Sequence, residues 1–218
     1  MQNLEVKNSV ILIRGTMYLL ILALALCLGC SQNTFSSKNE LMNFINDESN
    51  GYVQYKSING VDFGLMYRPV DLLIQQEIDK DIKNNNKKNI DSLRNKYSNY
   101  LYLNLNISKD NQELLSAIPE SISDFSTLSN KLSFEMDESI FLITTRKDTL
   151  DMVDYLYPKM YGATRSTSIL FVFHRDKEKM DNQNLYFVIK NIELGTGEVK
   201  FKLDSEILNY YPRLTFKE

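Results

Sequence analysis

His174 is the only histidine in the 218 residues, so any Ser-His-Asp triad in this chain has to be built on it. It closes the apolar run Ile169-Leu-Phe-Val-Phe173 and is followed by Arg175 and Asp176. No Gly-x-Ser-x-Gly elbow is present to supply a nucleophile, so His174 reads as a structural or surface residue. Zinc would find one imidazole and no thiol beyond Cys27 and Cys30. Calcium suits the available oxygen ligands better, yet no Asp-x-Asp-x-Asp-Gly loop occurs. Asp148, Asp151 and Asp154 are spaced by three, which puts them on one face of a helix but splits them across a strand. They read as a solvated acidic edge. Gly195-Thr-Gly197 lacks the further residues of a phosphate loop and fits a tight turn. No cofactor and no metal are expected. A pair of carboxylates cleaving a glycosidic bond is the catalytic alternative, but nothing local selects a pair.

Tyrosine is the one excess. Thirteen tyrosines stand against no tryptophan, and they cluster at Tyr97, Tyr100 and Tyr102, at Tyr155, Tyr157 and Tyr161, and at Tyr210 with Tyr211. A tyrosine joins a large apolar body to a polar tip, which suits protein or sugar contacts when exposed and strand packing when half buried. The segment from Tyr155 to Gly162 packs three tyrosines, Pro158 and Gly162 into eight residues, as binding loops do. Tyr155, Tyr157 and Tyr161 are therefore the candidate partner-binding residues.

The first thirty residues differ from the rest. Lys7 and Arg14 precede an uncharged run from Met17 to Gly29, shorter than the ~20 residues that cross a bilayer as a helix. The run ends in Leu28-Gly29-Cys30-Ser31, followed by polar Gln32, Asn33 and Thr34. Residues 1–31 resemble the signal peptide and lipobox of bacterial lipoproteins. The family pattern usually has Leu at the place of Cys27 and a small residue at the place of Leu28. The resemblance implies cleavage before Cys30 and diacylglyceryl and acyl chains on that cysteine, palmitate among them. Several chains on one residue hold a protein to a membrane stably. It further implies residence in the cell envelope. Ser31 and Gln32 carry no acidic retention signal, which points to the outer membrane. After such cleavage no thiol remains, so the exported domain rests on its apolar core rather than on disulfides. The net charge of −3 argues against nucleic acid as a partner.

Any binding site has to be positioned by the elements downstream of Cys30. Residues 31–38, rich in Ser and Asn, read as a tether, and 40–45 as a short helix. Residues 52–58 and 63–67 read as strands joined by Asn59-Gly60, a hairpin dipeptide. Pro69 opens a helix over about 70–82; residues 83–89 are a polar loop, and a second helix starts at Ile90. Residues 100–108 alternate strictly, with Leu101, Leu103, Leu105 and Ile107 on one face. Asp110 and Glu113 look like a capping pair for a helix carrying Leu114, Leu115 and Ile118. Ile122, Phe125 and Leu128 imply another helix with one apolar stripe. Residues 132–136, 140–145, 168–174, 184–192 and 198–203 read as strands, and 148–161 fits either strand or helix.

These elements predict an α+β fold: a mostly antiparallel sheet with helices packed on it, in one domain. The expected divisions are a signal peptide over 1–29, a lipidated N-terminus and tether over 30–45, and the domain over 46–218. The expected function is a non-enzymatic, membrane-anchored binding protein or envelope-complex subunit. Its partners are the membrane, through lipid on Cys30, and an envelope protein. The alternative is an envelope hydrolase working with carboxylates.

Overall fold

Alternation and turn chemistry lay down the first sheet. In a computed structural model that describes residues 34–82 and 89–216, strands β2 (Val53–Ile58) and β3 (Val61–Arg68) pair antiparallel around Asn59-Gly60. Asn59 (φ 53°) and Gly60 (φ 75°) take the two left-handed positions that a two-residue hairpin needs. Strand β3 pairs with β4 (Tyr100–Lys109), and β4 with β9 (Thr167–His174), which pairs in turn with β8 (Met152–Leu156). The order is β2-β3-β4-β9-β8, with the two-residue β5 (Gln112–Glu113) folded back on β4. Leu101, Leu103, Leu105 and Ile107 all lie buried on one face of β4, as their period-two spacing predicts.

A second antiparallel sheet runs β11 (Val199–Leu203), β10 (Leu185–Ile189), β6 (Ile140–Thr144) and β7 (Thr149–Leu150). The fold is α+β with mostly antiparallel sheet, as expected, but two sheets face one another across the core. Phe171 of β9 lies 5.6 Å from Phe187 of β10, centroid to centroid. One edge of the sandwich is bridged by side chains: Gln54 and Lys56 of β2 donate to the Lys202 and Lys200 carbonyls of β11. At the opposite edge the chain passes from sheet to sheet within one extended segment, β7 then β8, around Asp151. The Asp151 carbonyl accepts from the His174 N–H at 2.9 Å.

Helices close the ends. Helix α1 (Lys38–Asn46) is capped by Ser37, whose side chain accepts from the Glu40 N–H, and it buries Leu41 and Ile45 in the core. Before it, β1 (Thr34–Phe35) pairs in parallel with β12 (Arg213–Leu214). The tether read over 31–38 therefore overlaps folded structure from Thr34. Residues 34–45 belong to the same compact unit as 46–218, because Phe35, Leu41 and Ile45 pack on its core. Cys30 lies outside the described residues. Helices α2 (Val70–Ile82) and α3 (Ile90–Tyr97) lie over the outer face of the first sheet, where Tyr97 meets buried Tyr102 edge-on at 6.2 Å.

Two local expectations fail. Asp110 (φ 52°) and Asn111 (φ 58°) form the tight β4–β5 turn, so Asp110 caps no helix. The helix after it, α4, is only Leu114–Ala117, and Glu113 makes no side-chain cap to it. Residues 132–134, read as strand, continue helix α5 (Ile122–Phe134), and Met136–Glu138 is a 3-10 turn. Once Ser121 caps α5 by accepting from the Asp124 N–H, each further residue adds a helical bond, which outweighs the short alternation Leu132-Ser-Phe-Glu-Met.

Candidate binding surface

Strand β8 is the edge of its sheet, and its register slips between Met152 and Asp154. The extra residue of this bulge leaves Val153 exposed, and Leu156, where the pairing with β9 ends, is 61 % exposed. Tyr155 points the other way. Its ring stacks on Phe171 at 5.8 Å, its hydroxyl accepts from the Met136 N–H at 3.4 Å, and burial pushes its phenol up. Tyr155 is thus a half-buried strut between the edge strand and the turn after α5.

The segment beyond β8 hangs on Glu113. This carboxylate is buried, accepts from the Gly162 N–H at 2.5 Å and from the Tyr157 hydroxyl at 3.4 Å, and so replaces the helix cap expected of it. The Tyr157 phenol is pushed up to about 12, first by burial and then by the negative charge of Glu113. Tyr161 (φ 49°) and Gly162 (φ 82°) form a left-handed turn, and a Cβ on Gly162 would stand 3.1 Å from Ser116 Oγ. The left-handed backbone favours glycine there, while the Ser116 hydroxyl would have to give by only a few tenths of an ångström. The turn leaves Tyr161 69 % exposed. Of the three tyrosines singled out, two hold the segment in place and only Tyr161 faces outward.

Side chains the sequence did not mark complete the surface. Phe134, at the end of α5, is 73 % exposed, and the Lys159 ammonium sits 5.9 Å from its ring centroid. Met160 is exposed beside Tyr161. At the other end of α5, Ile122 and Phe125 are exposed over a shallow groove shared with Leu115 and Pro119. The apolar stripe expected to bury Ile122, Phe125 and Leu128 thus buries only its C-terminal part. Phe134 was illegible because the strand alternation Leu132-Ser-Phe-Glu-Met places it on one apolar face with Leu132 and Met136, both of which are buried.

The remaining candidates are dispersed. His174 is exposed and meets Tyr100 edge-on at 6.1 Å; among the described residues its ring bonds neither a serine nor a carboxylate. Asp148 and Asp154 sit on an extended segment, where Asp154 accepts from the Tyr155 N–H. Among the described residues no group of three His, Cys, Asp or Glu is placed to hold a metal ion, and no helix is long and apolar enough to cross a membrane. Tyr210 stacks on Phe44 at 5.9 Å, and Tyr97 bonds Glu77.

The Glu113 anchor is testable. Glu113→Gln keeps the shape but turns an amide N–H₂ toward one of two donors, which costs about 1–3 kcal/mol. Local opening of 157–162 then rises on the order of tenfold, and trypsin cuts after Lys159 correspondingly faster. An unchanged cleavage rate would show that the segment is held by other contacts.

No protein-family model, no curated protein and no solved structure matches this chain.

Proposed function

We propose that this chain is a lipid-anchored protein of the bacterial cell envelope, held to the membrane through Cys30, that works by binding a protein partner. The observation that supports this reading is the run of exposed apolar side chains on and just after the edge strand β8, Val153, Leu156, Met160 and Tyr161, with exposed Phe134 beside Lys159 of the same segment. Single exposed apolar residues are ordinary, but four within the nine residues 153–161, on and beyond a bulged edge strand, have the composition of a contact surface. The Glu113 anchor and the Tyr155 strut hold that set in one conformation, which reduces the entropy lost on docking.

The test compares tagged wild-type chain with Phe134→Ser/Leu156→Asp after cross-linking in native membranes, followed by mass spectrometry. Both side chains are exposed, so the double variant should keep its circular dichroism spectrum and lie within about 1 kcal/mol of wild type. A partner captured by wild type should fall at least about tenfold in the variant, the cost expected for losing two interface anchors. Equal capture by both proteins would remove this surface from the reading. Cys30→Ala should leave the membrane fraction, and retention there would remove the lipid anchor.

A further inference from the structure

Arg175 is 7 % exposed, and among the described residues no acid answers its charge. Its Nη1 donates to the Leu208 carbonyl at 3.0 Å and to the Tyr211 hydroxyl at 3.3 Å; its Nη2 donates to the Tyr67 hydroxyl at 2.6 Å. All three acceptors are neutral. A guanidinium has five N–H donors, and here Nε, buried, has no partner. Among the described residues the only other buried side-chain polar atom without a partner is the Tyr52 hydroxyl, whose ring stacks on Tyr67 at 5.9 Å. The neighbouring acid in sequence, Asp176, is engaged elsewhere: it accepts from the Glu178 and Lys179 N–H groups as the cap of α6 (Lys177–Met180).

Arg175 lines a cleft of about 250 Å³ between the start of α2, the end of α3 and the segment before β12. Arg94, Lys177 and Arg213 also line it, against one carboxylate, Asp71. That carboxylate is already saturated: Arg94 Nε and Nη2 bond it at 3.0 and 2.7 Å, and the Leu214 N–H at 2.7 Å. The cleft is therefore cationic in a chain whose net charge is −3. Tyr211, an exposed residue of the cleft wall, holds its ring centroid 5.3 Å from the guanidinium carbon. Pro69, Val70, Tyr210 and Pro212 supply apolar wall.

We propose that this cleft is a binding site for a small organic carboxylate with an apolar or aromatic body. A buried charge answered only by neutral dipoles is costly, and an arriving anion offsets part of that cost against its own desolvation. A monoanion fits better than a phosphate dianion, because the Arg94 charge is neutralised by Asp71 and a second negative charge would face that same carboxylate. The open volume lies below the ~300–1,000 Å³ of drug-sized sites, which limits the ligand to a fragment of about one ring with its carboxylate. The site shares no residue with the apolar surface at β8, so either can fail without the other.

The experiment is calorimetric titration of the full chain in neutral detergent at fixed ionic strength, with benzoate, its neutral isostere benzamide, and phenyl phosphate. Benzoate should bind saturably, at least tenfold tighter than benzamide and tighter than phenyl phosphate. Arg175→Met, which removes an unanswered charge and is expected to fold, should weaken benzoate at least tenfold. Should Arg175→Met lack the native circular dichroism spectrum, Tyr211→Ala at the exposed wall takes its place, with several-fold weakening expected. Equal binding of benzoate and benzamide, no saturable binding of benzoate, or undiminished affinity in the variant would overturn the proposal. Tighter binding of phenyl phosphate would overturn the carboxylate assignment.

Discussion

Asp71→Ala should destabilise the protein by about 3–5 kcal/mol, the cost of breaking a buried ion pair from one side. Asp71 is buried at the start of α2, where it receives two bonds from Arg94 of α3 and one from the backbone N–H of Leu214 in β12. Arg94 also donates to the Leu214 carbonyl at 3.1 Å, so one carboxylate ties together both helices and the last strand. The bonds that Arg94 donates to Asp71 hold its guanidinium above its ordinary range. Truncation leaves the buried Leu214 N–H without its acceptor and a partly buried cation that keeps only the Leu214 carbonyl and Asp91, 3.7 Å away, and β12 carries β1 with it. Thermal unfolding followed by circular dichroism should show a midpoint lower by on the order of 10 °C for a chain of this size. Asp71→Ala/Arg94→Met should recover part of the loss by removing the stranded charge. A loss below about 1 kcal/mol in the single variant would mean that Arg94 reaches water and the pair behaves as a surface one.

Phe171→Ala should cost a similar amount, about 3–5 kcal/mol, by a different route. Phe171 is fully buried on β9 and touches Phe187 of the facing sheet at 5.6 Å and Tyr155 of the edge strand at 5.8 Å. Its removal leaves a cavity between two sheets that are bridged at both edges, so collapse to fill it is restricted. Urea unfolding should show a lower midpoint with an unchanged slope. Val172→Ala, one residue on and on the half-buried outer face, should cost less than half as much. The Phe171 variant should also loosen Tyr155 and with it the apolar surface at β8. Equal costs for the two substitutions would contradict the two-sheet core.

Period and turn chemistry are local properties, and where they are strong they determine structure without help from the rest of the chain. The alternation of residues 100–108 produces β4 with its four aliphatics buried, Asn59-Gly60 produces the β2–β3 hairpin, and Pro69 marks the start of α2. The alternation of residues 198–203 likewise produces β11, with Val199, Phe201 and Leu203 inward.

Where two local signals compete, the fold decides. Residues 148–161 fit either element by spacing; pairing with β6 and then β9 makes 149–150 and 152–156 strand, the rest stays irregular, and the bulge at Met152/Asp154 sets which side chains emerge. Tyr155 and Tyr157 look alike to Tyr161 in sequence, but Phe171 and Glu113 turn them inward. The candidate surface was therefore legible only as a segment, not as a set of residues. Arg175 carried no mark at all beside the lone histidine. Its meaning depends on burial and on its bonding only neutral groups among the described residues, and both are set by chain segments far from it in sequence: Tyr67, Leu208 and Tyr211. A residue's type and spacing determine what it can do chemically. Only tertiary packing determines which of its charges and donors are left without a partner, because that depends on what every other segment brings to the same place.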